Sequence, residues 1–493
     1  MNCLLVYPQH PDTFWSFRHA LKFISKKTSF PPLGLLTVAS LLPPDWTPRL
    51  IDMNVQPLRD ADLSWADIVF LSAMSIQSES ADSVIARCRS FGVRIVAGGP
   101  HFTSSADLYD EVDHLVLNEA ELTLPPFLRD FEAGQPQHLY TSDTWSDLER
   151  TPLPRWELVP MKQYSSMNIQ YSRGCPFDCD FCDITVLYGH KPRTKSCAQV
   201  IGELDALYDS GWRGPLFFVD DNFIGNRRKL KAEVLPAITA WMEAHQHPFI
   251  LNTEASINLA DDPELMRLMV EAGFEAVFIG IETPNEDSLV ACGKHQNRHR
   301  DLVDSVRTIQ RAGLEVQGGF ILGFDEDPPV IFDRLEKFIQ ESAIVTAMVG
   351  LLNAPTGTRL HARLKAEGRL LKNFSGSNTD MNFVPRMDMD HLLEGYRNVL
   401  QTIYSPRHYY ARVRRFLIEF NPKKKVVHIS PRYVIALLRS MVMLGVIGRE
   451  RLHYWRLFFW SLLHKPQLFS LAILFTIYGF HFRRISADAL SAS

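Results

Sequence analysis

Cysteine is scarce in this sequence, and neither sign of charge is in large excess. Seven cysteines in 493 residues form an odd and mostly scattered set, which argues against the paired disulfide framework of small secreted proteins. The net charge of −4 leaves no basic field for a nucleic-acid backbone, so we expect no nucleic-acid partner. The first residues, MNCLLVYPQH, lack the basic start and the long apolar run of a signal peptide, which predicts a cytoplasmic protein.

The sequence also lacks an uninterrupted apolar run long enough to cross a membrane. Residues 468–480 fall short of the roughly 20 residues that a spanning helix needs. A compact apolar group precedes them after Arg456 and comprises Phe458, Phe459, Trp460, Leu462 and Leu463. Aromatic and basic residues around a short apolar stretch fit either a helix packed in the core or a helix lying in a membrane interface. Peripheral contact with the inner face of the membrane is therefore the alternative to a purely cytoplasmic location.

Residues 1–136 alternate between buried-strand and helix patterns. Apolar runs such as CLLVYP, IVFLSAM and RIVAGGP are typical of parallel strands buried on both faces. Helical patterns such as SADSVIARCRS separate several of them, which predicts an α/β fold with a doubly wound, Rossmann-like sheet. Ligands of such sheets lie beyond the carboxyl ends of the strands. The candidate ligand-binding residues at those ends are Asn54, Ser72, Ser75, Gly98, Gly99 and Glu119.

A proline-marked linker, residues 137–165, separates this sheet from a second βα series. Six strand candidates between residues 166 and 365 alternate with helical segments; they are NIQYSRG, PLFFVDDNF, ILNTEAS, AVFIGIET, VQGGFILGF and VTAMVGLLN. This pattern predicts a partial (β/α)6 barrel with its chemistry on the loops after the strands. Residues 366–493 lose the alternation, which predicts a helical C-terminal region.

Three of the seven cysteines lie within eight residues. Cys175, Cys179 and Cys182 follow the first predicted barrel strand and a glycine. A zinc site normally takes four ligands in two separated pairs, and the sequence offers no matching second pair. Three thiolates suit three irons of a [4Fe–4S] cluster and leave the fourth iron open for a substrate. A zinc knot or a chance cluster is the alternative.

The CxxxCxxC spacing after the first barrel strand resembles the signature of the radical S-adenosylmethionine (SAM) superfamily, in which an aromatic residue often precedes the last cysteine. The resemblance implies that the three cysteines hold a [4Fe–4S] cluster. It also implies that SAM contacts Phe181, Asp220, Asp221, Asn222, Glu254, Glu282, Gly319, Ile321 and Gly323. Each of these has a structural alternative, because Asp and Asn are good turn residues and glycines allow close packing. Arg193 either lies in a solvated basic turn or faces the site and meets a carboxylate or a phosphate.

A doubly wound domain before such a barrel resembles the cobalamin-binding arrangement. By this resemblance, Gly98 and Gly99 let the corrin ring or its nucleotide tail approach closely. Ser72 and Ser75 are expected to hydrogen-bond the tail. The alternative is a purely structural sheet with ordinary turns. Where the cobalamin motif D-x-H-x-x-G has its histidine, this sequence has Asn54 within DMNVQP, so we expect no protein histidine on the cobalt.

An inserted segment follows the first strand of this domain and resembles a loop that lies over the cobalamin in the family. Phe14, Trp15 and Phe17 belong to it. These aromatic residues either line the substrate cavity or form a small separate core.

Residues 1–480 as a whole resemble the cobalamin-dependent radical SAM methylases with a helical C-terminal extension, the branch that includes hopanoid methylases. The resemblance implies methylation of an unactivated carbon of a lipid-like or other small molecule, through a 5′-deoxyadenosyl radical and methylcobalamin. It also implies a reductant such as flavodoxin or ferredoxin and a monomeric enzyme. Two alternatives stay open: a cobalamin-dependent radical SAM cyclase or oxidase, and a non-catalytic membrane-associated iron–sulfur protein. No residue pattern distinguishes a lipid from a pigment as substrate.

Overall fold

The computed structural model describes residues 1–371, 380–422 and 431–491. The strands are β1 (Asn2–Tyr7), β2 (Thr47–Asp52), β3 (Ile68–Ser72), β4 (Arg94–Gly98), β5 (His114–Val116), β6 (Leu139–Tyr140), β7 (Met167–Ile169), β8 (Ser172–Arg173), β9 (Arg193–Thr194), β10 (Gly214–Phe218), β11 (Phe249–Glu254), β12 (Phe274–Glu282), β13 (Glu315–Leu322) and β14 (Ala347–Leu351). The helices of the first domain are α1 (Arg18–Leu21), α2 (Leu33–Leu41), α3 (Asp60–Trp65), α4 (Ser78–Ser90), α5 (Pro100–Ser104) and α6 (Ala120–Glu132).

The barrel helices are α7 (Ile184–Tyr188), α8 (Cys197–Asp209), α9 (Arg227–Lys229), α10 (Leu235–Ala244), α11 (Pro263–Ala272), α12 (Glu286–Ala291), α13 (Leu302–Ala312) and α14 (Ile331–Ser342). The C-terminal helices are α15 (Arg359–Ala366), α16 (Met389–Tyr404), α17 (Pro406–Glu419), α18 (Pro431–Val442), α19 (Arg451–His464) and α20 (Phe469–Ser491). Two π-helical segments, Leu230–Val234 and Met443–Ile447, extend α9 and α18.

The first sheet has the strand order β2-β1-β3-β4-β5-β6, and every neighbouring pair is parallel. Its central strands are apolar along their length because helices cover both faces. Helices α2 and α6 pack on one face, and α3, α4 and α5 pack on the other. The expected doubly wound sheet is confirmed. Strand β6 extends it to Tyr140, so the sheet continues beyond residue 136.

The second sheet has the order β14-β13-β12-β11-β10-β7 and is also parallel throughout. Its six strands form the predicted partial barrel, with their carboxyl ends at one mouth. A short antiparallel ribbon of β8 and β9 sets Arg173 opposite Arg193 at this mouth. The carboxyl ends of the parallel strands are therefore the edge of each sheet at which loops can carry functional residues.

Residues 468–480 belong to the core of the helical C-terminal region. Tyr409 of α17 donates a hydrogen bond to the Phe475 carbonyl (2.7 Å), and a Cβ added to Gly479 would lie 2.4 Å from the Tyr409 ring. Within the described residues, Pro466–Ala487 is the one helical stretch long and apolar enough to cross a membrane. Of its apolar 18-residue part, however, 56% is buried inside the protein. Of the two structures expected for residues 468–480, the packed core helix is the one observed.

Residues 14–24 of the inserted segment connect the first domain to the C-terminal helices. Phe14 is buried against Tyr404, with ring centroids 6.1 Å apart, and Phe17 packs on Tyr478 at 5.0 Å. Arg439 of α18 donates a hydrogen bond to the Lys22 carbonyl (2.8 Å). Phe14 and Phe17 therefore belong to the main hydrophobic core, and not to the small separate core that was one of the two roles expected for them.

Candidate active site between the two sheets

The loop that carries the three cysteines is fixed by backbone contacts. It begins at Gly174, whose φ of +91° suits glycine and whose added Cβ would lie 2.8 Å from the Gly189 carbonyl oxygen. The Cys175 N–H donates to that same carbonyl (3.3 Å). Further along, the Asp180 N–H donates to the Cys292 carbonyl (2.9 Å). The loop is thus tied both to its own end and to the segment after α12.

One ammonium group, that of Lys294, acts electrostatically on all three thiols. Burial raises the pKa of Cys175, Cys179 and Cys182, and the Lys294 charge acts on each of them in the opposite direction. Within residues 1–371, 380–422 and 431–491, no three His, Cys, Asp or Glu side chains are arranged to share one metal ion. A [4Fe–4S] cluster does not require that arrangement, because each thiolate binds a different iron of the cube. Three soft sulfur donors on one loop fit such a cluster better than a single zinc ion.

A buried ion pair lies beside the three thiols. Lys294 Nζ is 2.6 Å from Glu282 Oε1, and the two side chains are 13% and 9% exposed. Glu282 ends β12 in the left-handed conformation (φ +64°), where the pairing of β12 with β13 shifts register. Burial opposes the charged form of Lys294, but Glu282 and the neighbouring cysteines outweigh it and raise the pKa of this lysine. The ammonium therefore stays charged and can offset the negative charge of thiolates.

Two carboxylates and an amide follow β10. Asp220 is buried and accepts hydrogen bonds from both the N–H and the hydroxyl of Ser172, so its oxygens hold the connection between β7 and β8. Asp221 accepts a hydrogen bond (3.1 Å) from the backbone N–H of the glycine that precedes Cys175. Asn222 Nδ2 lies 4.0 Å from Cys175 Sγ. Asp220 is thus occupied by structural contacts, whereas Asp221 and Asn222 reach the cysteine loop.

Glu254 at the end of β11 has a carboxylate without a partner. Within the described part of the chain it makes no hydrogen bond or ion pair, although the residue is partly buried. Burial, and then the negative charges of Asp221 and Asp220, raise the pKa of Glu254 to about 8. Because its oxygens are not used by other residues, this carboxyl group can hydrogen-bond the hydroxyl groups of a bound nucleoside such as SAM.

The last part of the expected SAM site lies on β13 and on the cysteine loop. Gly319 and Ile321 alternate with fully buried residues, so they share the less buried face of the strand. A Cβ added to Gly319 would lie 2.7 Å from the Phe278 ring, and Gly323 has a φ of +102°. The glycines therefore have packing and turn roles that would exist without SAM. Phe181 packs edge-on against an aromatic ring that follows β13.

A cavity of about 990 Å³ lies between the carboxyl edge of the first sheet and the barrel mouth. Five of the six residues expected at this edge line the cavity: Asn54, Ser72, Gly98, Gly99 and Glu119. Ser75 begins the turn Ser75–Gln77 and is not among the lining residues. The size of the cavity and the open carboxyl edge fit a large cofactor such as cobalamin.

The two cavity glycines also have strict backbone roles. A Cβ added to Gly98 would lie 2.4 Å from the Val116 carbonyl oxygen in the neighbouring strand. Gly99 has a φ of +90°, and an added Cβ would lie 2.5 Å from Ser72 Oγ. Replacing either glycine would therefore disturb the sheet edge itself. A large residue at Gly98 would consequently distort the sheet, so weaker ligand binding by such a variant would not identify a ligand contact.

The amide of Asn54 is fully used within the protein. Its Oδ1 accepts a hydrogen bond from the His10 N–H (2.8 Å), and its Nδ2 donates to the Pro8 carbonyl (3.1 Å) and to Asp52 (2.8 Å). His10, which the sequence analysis did not single out, also lines the cavity. Burial lowers the pKa of His10 to about 4, so its imidazole is neutral. Only its position after β1, at the start of the inserted segment, could have drawn attention to it.

A network of buried ion pairs joins the two sheets at the rim of the cavity. Arg193 Nη1 donates to both oxygens of Glu119 at 2.9 Å, and Arg173 donates to Glu119 and Glu121 at 2.8 Å. Arg193 therefore meets a carboxylate, which is one of the two arrangements expected for it, and does not lie in a solvated turn. The carboxylate of Glu119 lines the cavity, but these arginines and the Ser146 N–H hold its oxygens. Sequence analysis missed Arg173 and Glu121 because nothing local marks their pairing.

Aromatic side chains of the first domain reach into the barrel. Trp15 is 43% exposed, lines the cavity and packs edge-on against Phe278 of β12, with centroids 4.8 Å apart. Phe30 also lines the cavity and packs on Phe217 of β10 at 5.1 Å. Of the three aromatic residues expected near the substrate, Trp15 is therefore the one that faces this space.

Comparison with known families matches the three parts of the chain separately. Residues 23–128 match the B12 binding domain, residues 169–339 match the Radical SAM superfamily, and residues 358–493 match a domain of unknown function, DUF4070. The fold and the site thus define a radical SAM enzyme with a cobalamin-binding domain.

Comparison with whole proteins specifies the group. The chain is 41% identical over 490 residues to an uncharacterized methyltransferase of Synechocystis sp., covering 98% of this chain and 91% of that protein. It is 33% identical over 466 residues to the hopanoid C-2 methylase of Rhodopseudomonas palustris, covering 92% and 88%. The solved structure of the cobalamin-dependent SAM radical enzyme OxsB shares the fold, with a TM-score of 0.61, 14% identity and coverage of 99% and 80%. The chain belongs to the family of cobalamin-dependent radical SAM methyltransferases that includes the hopanoid C-2 methylase.

Membership confirms the expected activity class and cofactors. The protein is a methyltransferase that uses a [4Fe–4S] cluster, SAM and cobalamin. The predicted order of cobalamin-binding sheet, radical SAM barrel and helical region is confirmed as well. The alternative of a cyclase or oxidase is not favoured by these relatives.

Proposed function

We propose that this enzyme methylates an unactivated carbon of an apolar, lipid-like molecule held between the cobalamin-binding sheet and the barrel. The observation that carries the proposal is the aromatic surface that Trp15 and Phe30 add to the cavity lining, where they pack against Phe278 and Phe217 of the barrel. An aromatic surface favours an apolar ligand, because their contact removes apolar surface of the protein and of the ligand from water. The similarity to the hopanoid C-2 methylase, which acts on a lipid, supports the same substrate class.

The proposal assigns the cluster to Cys175, Cys179 and Cys182. Bound together, the [4Fe–4S] cluster, SAM and cobalamin supply the radical and the methyl group. Lys294 holds a positive charge beside the thiolates, and Glu282 keeps that lysine in place. Asn222 lies close enough to the cysteine loop to orient a ligand bound there.

In this assignment the cysteine loop and β13 would hold SAM. Glu254 would accept hydrogen bonds from its ribose hydroxyls, and the less buried face of Gly319 and Ile321 would contact its adenine. Asp221 and Phe181 complete the pocket, while Asp220 supports it through Ser172. The same assignment places cobalamin against Ser72, Gly98 and Gly99.

The network of Glu119, Glu121, Arg173 and Arg193 keeps the two cofactor sites in register. Its buried, charge-assisted hydrogen bonds join Glu119 and Glu121 of the first domain to Arg173 and Arg193 of the β8–β9 ribbon. A methyl donor and a radical generator must address the same substrate carbon, and small displacements at such sites are costly in rate.

The cellular setting follows from the substrate class. We expect a monomer that receives electrons from a flavodoxin or ferredoxin and works in the cytoplasm, in peripheral contact with the inner face of the membrane. A lipid-like substrate is sparingly soluble in water, so a position at the membrane shortens its transfer to the enzyme.

A comparison of cells with and without the gene tests the proposal. Lipid extracts of cells with the gene should contain a species one methylene unit heavier than its counterpart in the deletion strain. Complementation with the Cys179→Ala variant should fail to restore it, whereas the Cys88→Ala variant should restore it, since Cys88 is buried in the first domain away from the barrel. A difference confined to the polar metabolites would contradict the lipid assignment, and a product with an unchanged carbon count would contradict methylation.

A further inference from the structure

The exposed apolar surface of this chain is concentrated on α18, its π-helical extension and α19. Val434, Leu438, Val442 and Val446 follow one another at every fourth position and are all strongly exposed. On α19, Leu463 is 75% exposed, and Leu452 and Phe459 are also more than half exposed. Contiguous apolar surface of this kind on a protein marks a place of interaction. We call this set of seven residues the α18–α19 face.

The α18–α19 face is the outer side of two well-packed helices. The Ser440 and Tyr454 hydroxyls lie 2.9 Å apart between them, and Trp455 Nε1 donates to the Gly445 carbonyl (2.9 Å). Both helices also pack against α20. Their exposed rows therefore lie on the side away from α20, and the exposure does not come from loose packing.

The exposed charged residues of α18, its extension and α19 have one sign. Residues 433–465 contain five basic residues, namely Arg439, Arg449, Arg451, Arg456 and Lys465. The same stretch contains one carboxylate, Glu450, which is buried and paired with Arg483 (2.6 Å). An apolar face with basic residues and no exposed acid is complementary to an anionic lipid surface, where apolar burial and electrostatic attraction add.

The inserted segment lies directly between the α18–α19 hairpin and the cavity. Residues 22–24 pack on α18, and Arg439 binds the Lys22 carbonyl. Lys22, Arg18 and Trp15 of the same segment line the cavity. A molecule that leaves a bilayer at the α18–α19 face is therefore separated from the cavity by this one segment.

We propose that the α18–α19 face docks the enzyme peripherally on an anionic phospholipid bilayer, so that a lipid-like substrate enters next to residues 14–24. The inference rests on the proposed lipid substrate and names the surface through which it is obtained. It places membrane contact on α18 and α19, whereas the most hydropathic helix, α20, is a core helix. A second copy of this chain is a poorer occupant, because two faces with five basic residues each would repel one another.

Vesicle flotation with the full-length protein tests the docking surface. Wild-type protein should float with vesicles of phosphatidylglycerol and phosphatidylcholine, and binding should fall at least tenfold with phosphatidylcholine alone or in high salt. The double variant Leu438→Glu/Leu463→Glu should lose at least tenfold of its binding. The matched control Leu108→Glu/Leu139→Glu changes two comparably exposed leucines of the first domain, 48% and 45%, and should float like wild type.

Hydrogen exchange of the wild-type protein gives a second readout that needs no substitution. Anionic vesicles should protect peptides from residues 433–463 and leave those of residues 104–140 unchanged. Absence of flotation, equal loss in both double variants, or protection elsewhere would overturn the proposal. A wild-type dimer in light scattering that the Leu438→Glu/Leu463→Glu variant dissolves would overturn it too, because the face would then bind a second copy. Methylation of detergent-dispersed lipid by a variant that no longer floats would leave the proposed function intact, so the two claims can fail separately.

Discussion

Replacing Lys294 by Met removes one half of the buried ion pair that lies beside the three thiols. Its partner Glu282 is 9% exposed and is left without its 2.6 Å counter-charge. Removing one partner of a buried pair typically destabilises a protein by about 3–5 kcal/mol, because the other charge stays buried and unpaired. We therefore expect Lys294→Met to lower the free energy of unfolding of the barrel by about 3 kcal/mol or more. In addition, the cysteine loop would lose the positive charge that acts on all three of its thiols.

The consequence specific to the site is weaker cluster retention. After anaerobic reconstitution and desalting, Lys294→Met should keep clearly less iron and sulfide than wild type. Lys195→Met is the matched control, because Lys195 and Glu203 form another buried ion pair in the same barrel, with side chains 3% exposed. The control should lose comparable stability in urea denaturation and keep its iron. Equal iron retention in both variants would refute the inference that Lys294 compensates the charge of the cysteine loop.

Three further predictions address the other parts of the site. Cys179→Ala should abolish SAM cleavage and lower iron loading, and Cys88→Ala should do neither; deoxyadenosine production by the first variant would remove the cluster assignment. Gly34→Trp should reduce cobalamin retention after desalting, because Gly34 lines the cavity with open space at its Cβ position, whereas the helical control Gly202→Trp, also with open space, should retain cobalamin like wild type. The pKa of Glu254 is about 8 in the folded protein and 4.5 ordinarily, so the free energy of unfolding should fall as the pH rises between these values. Glu254→Gln should flatten this dependence, as measured by thermal denaturation at a series of pH values. An unchanged slope would mean that Glu254 is solvated.

Features encoded by local spacing were predictable from the sequence. The three cysteines lie on one loop, so their proximity follows from eight consecutive residues. The strand-end positions of Asp221 and Glu254 followed from the rule that parallel strands share a carboxyl edge, and the same rule predicted Ser72 and Gly98 at the cavity. Ser75 failed this rule because it begins the turn Ser75–Gln77, in which its neighbours Met74 and Ile76 line the cavity and Ser75 does not.

Features that depend on long-range packing were not predictable. Lys294 is twelve residues from Glu282 in the sequence, and they meet where Glu282 adopts a left-handed backbone conformation at a register shift. The pairing of Arg173 with Glu119 joins two domains across 54 positions of the chain. Such contacts leave no periodicity for a sequence pattern to display.

The C-terminal helices show the same limit in another form. Residues 468–480 and the residues of the α18–α19 face are similarly apolar, so composition predicts the same environment for both. Packing decides otherwise, because α20 is covered by α16, α17, α18 and α19, whereas the outer rows of α18 and α19 are left uncovered. Burial is a property of the assembled helices, and a single segment does not encode it.

The most direct test of the central claim follows the methyl group itself. Reconstituted enzyme with cobalamin, a reductant and SAM carrying a deuterated methyl group would be incubated anaerobically with the lipid extract of the deletion strain and examined by mass spectrometry. The account predicts a lipid product that carries the labelled methyl group together with formation of 5′-deoxyadenosine, and loss of the labelled product when cobalamin is omitted. Formation of 5′-deoxyadenosine with a product that carries no label would contradict it.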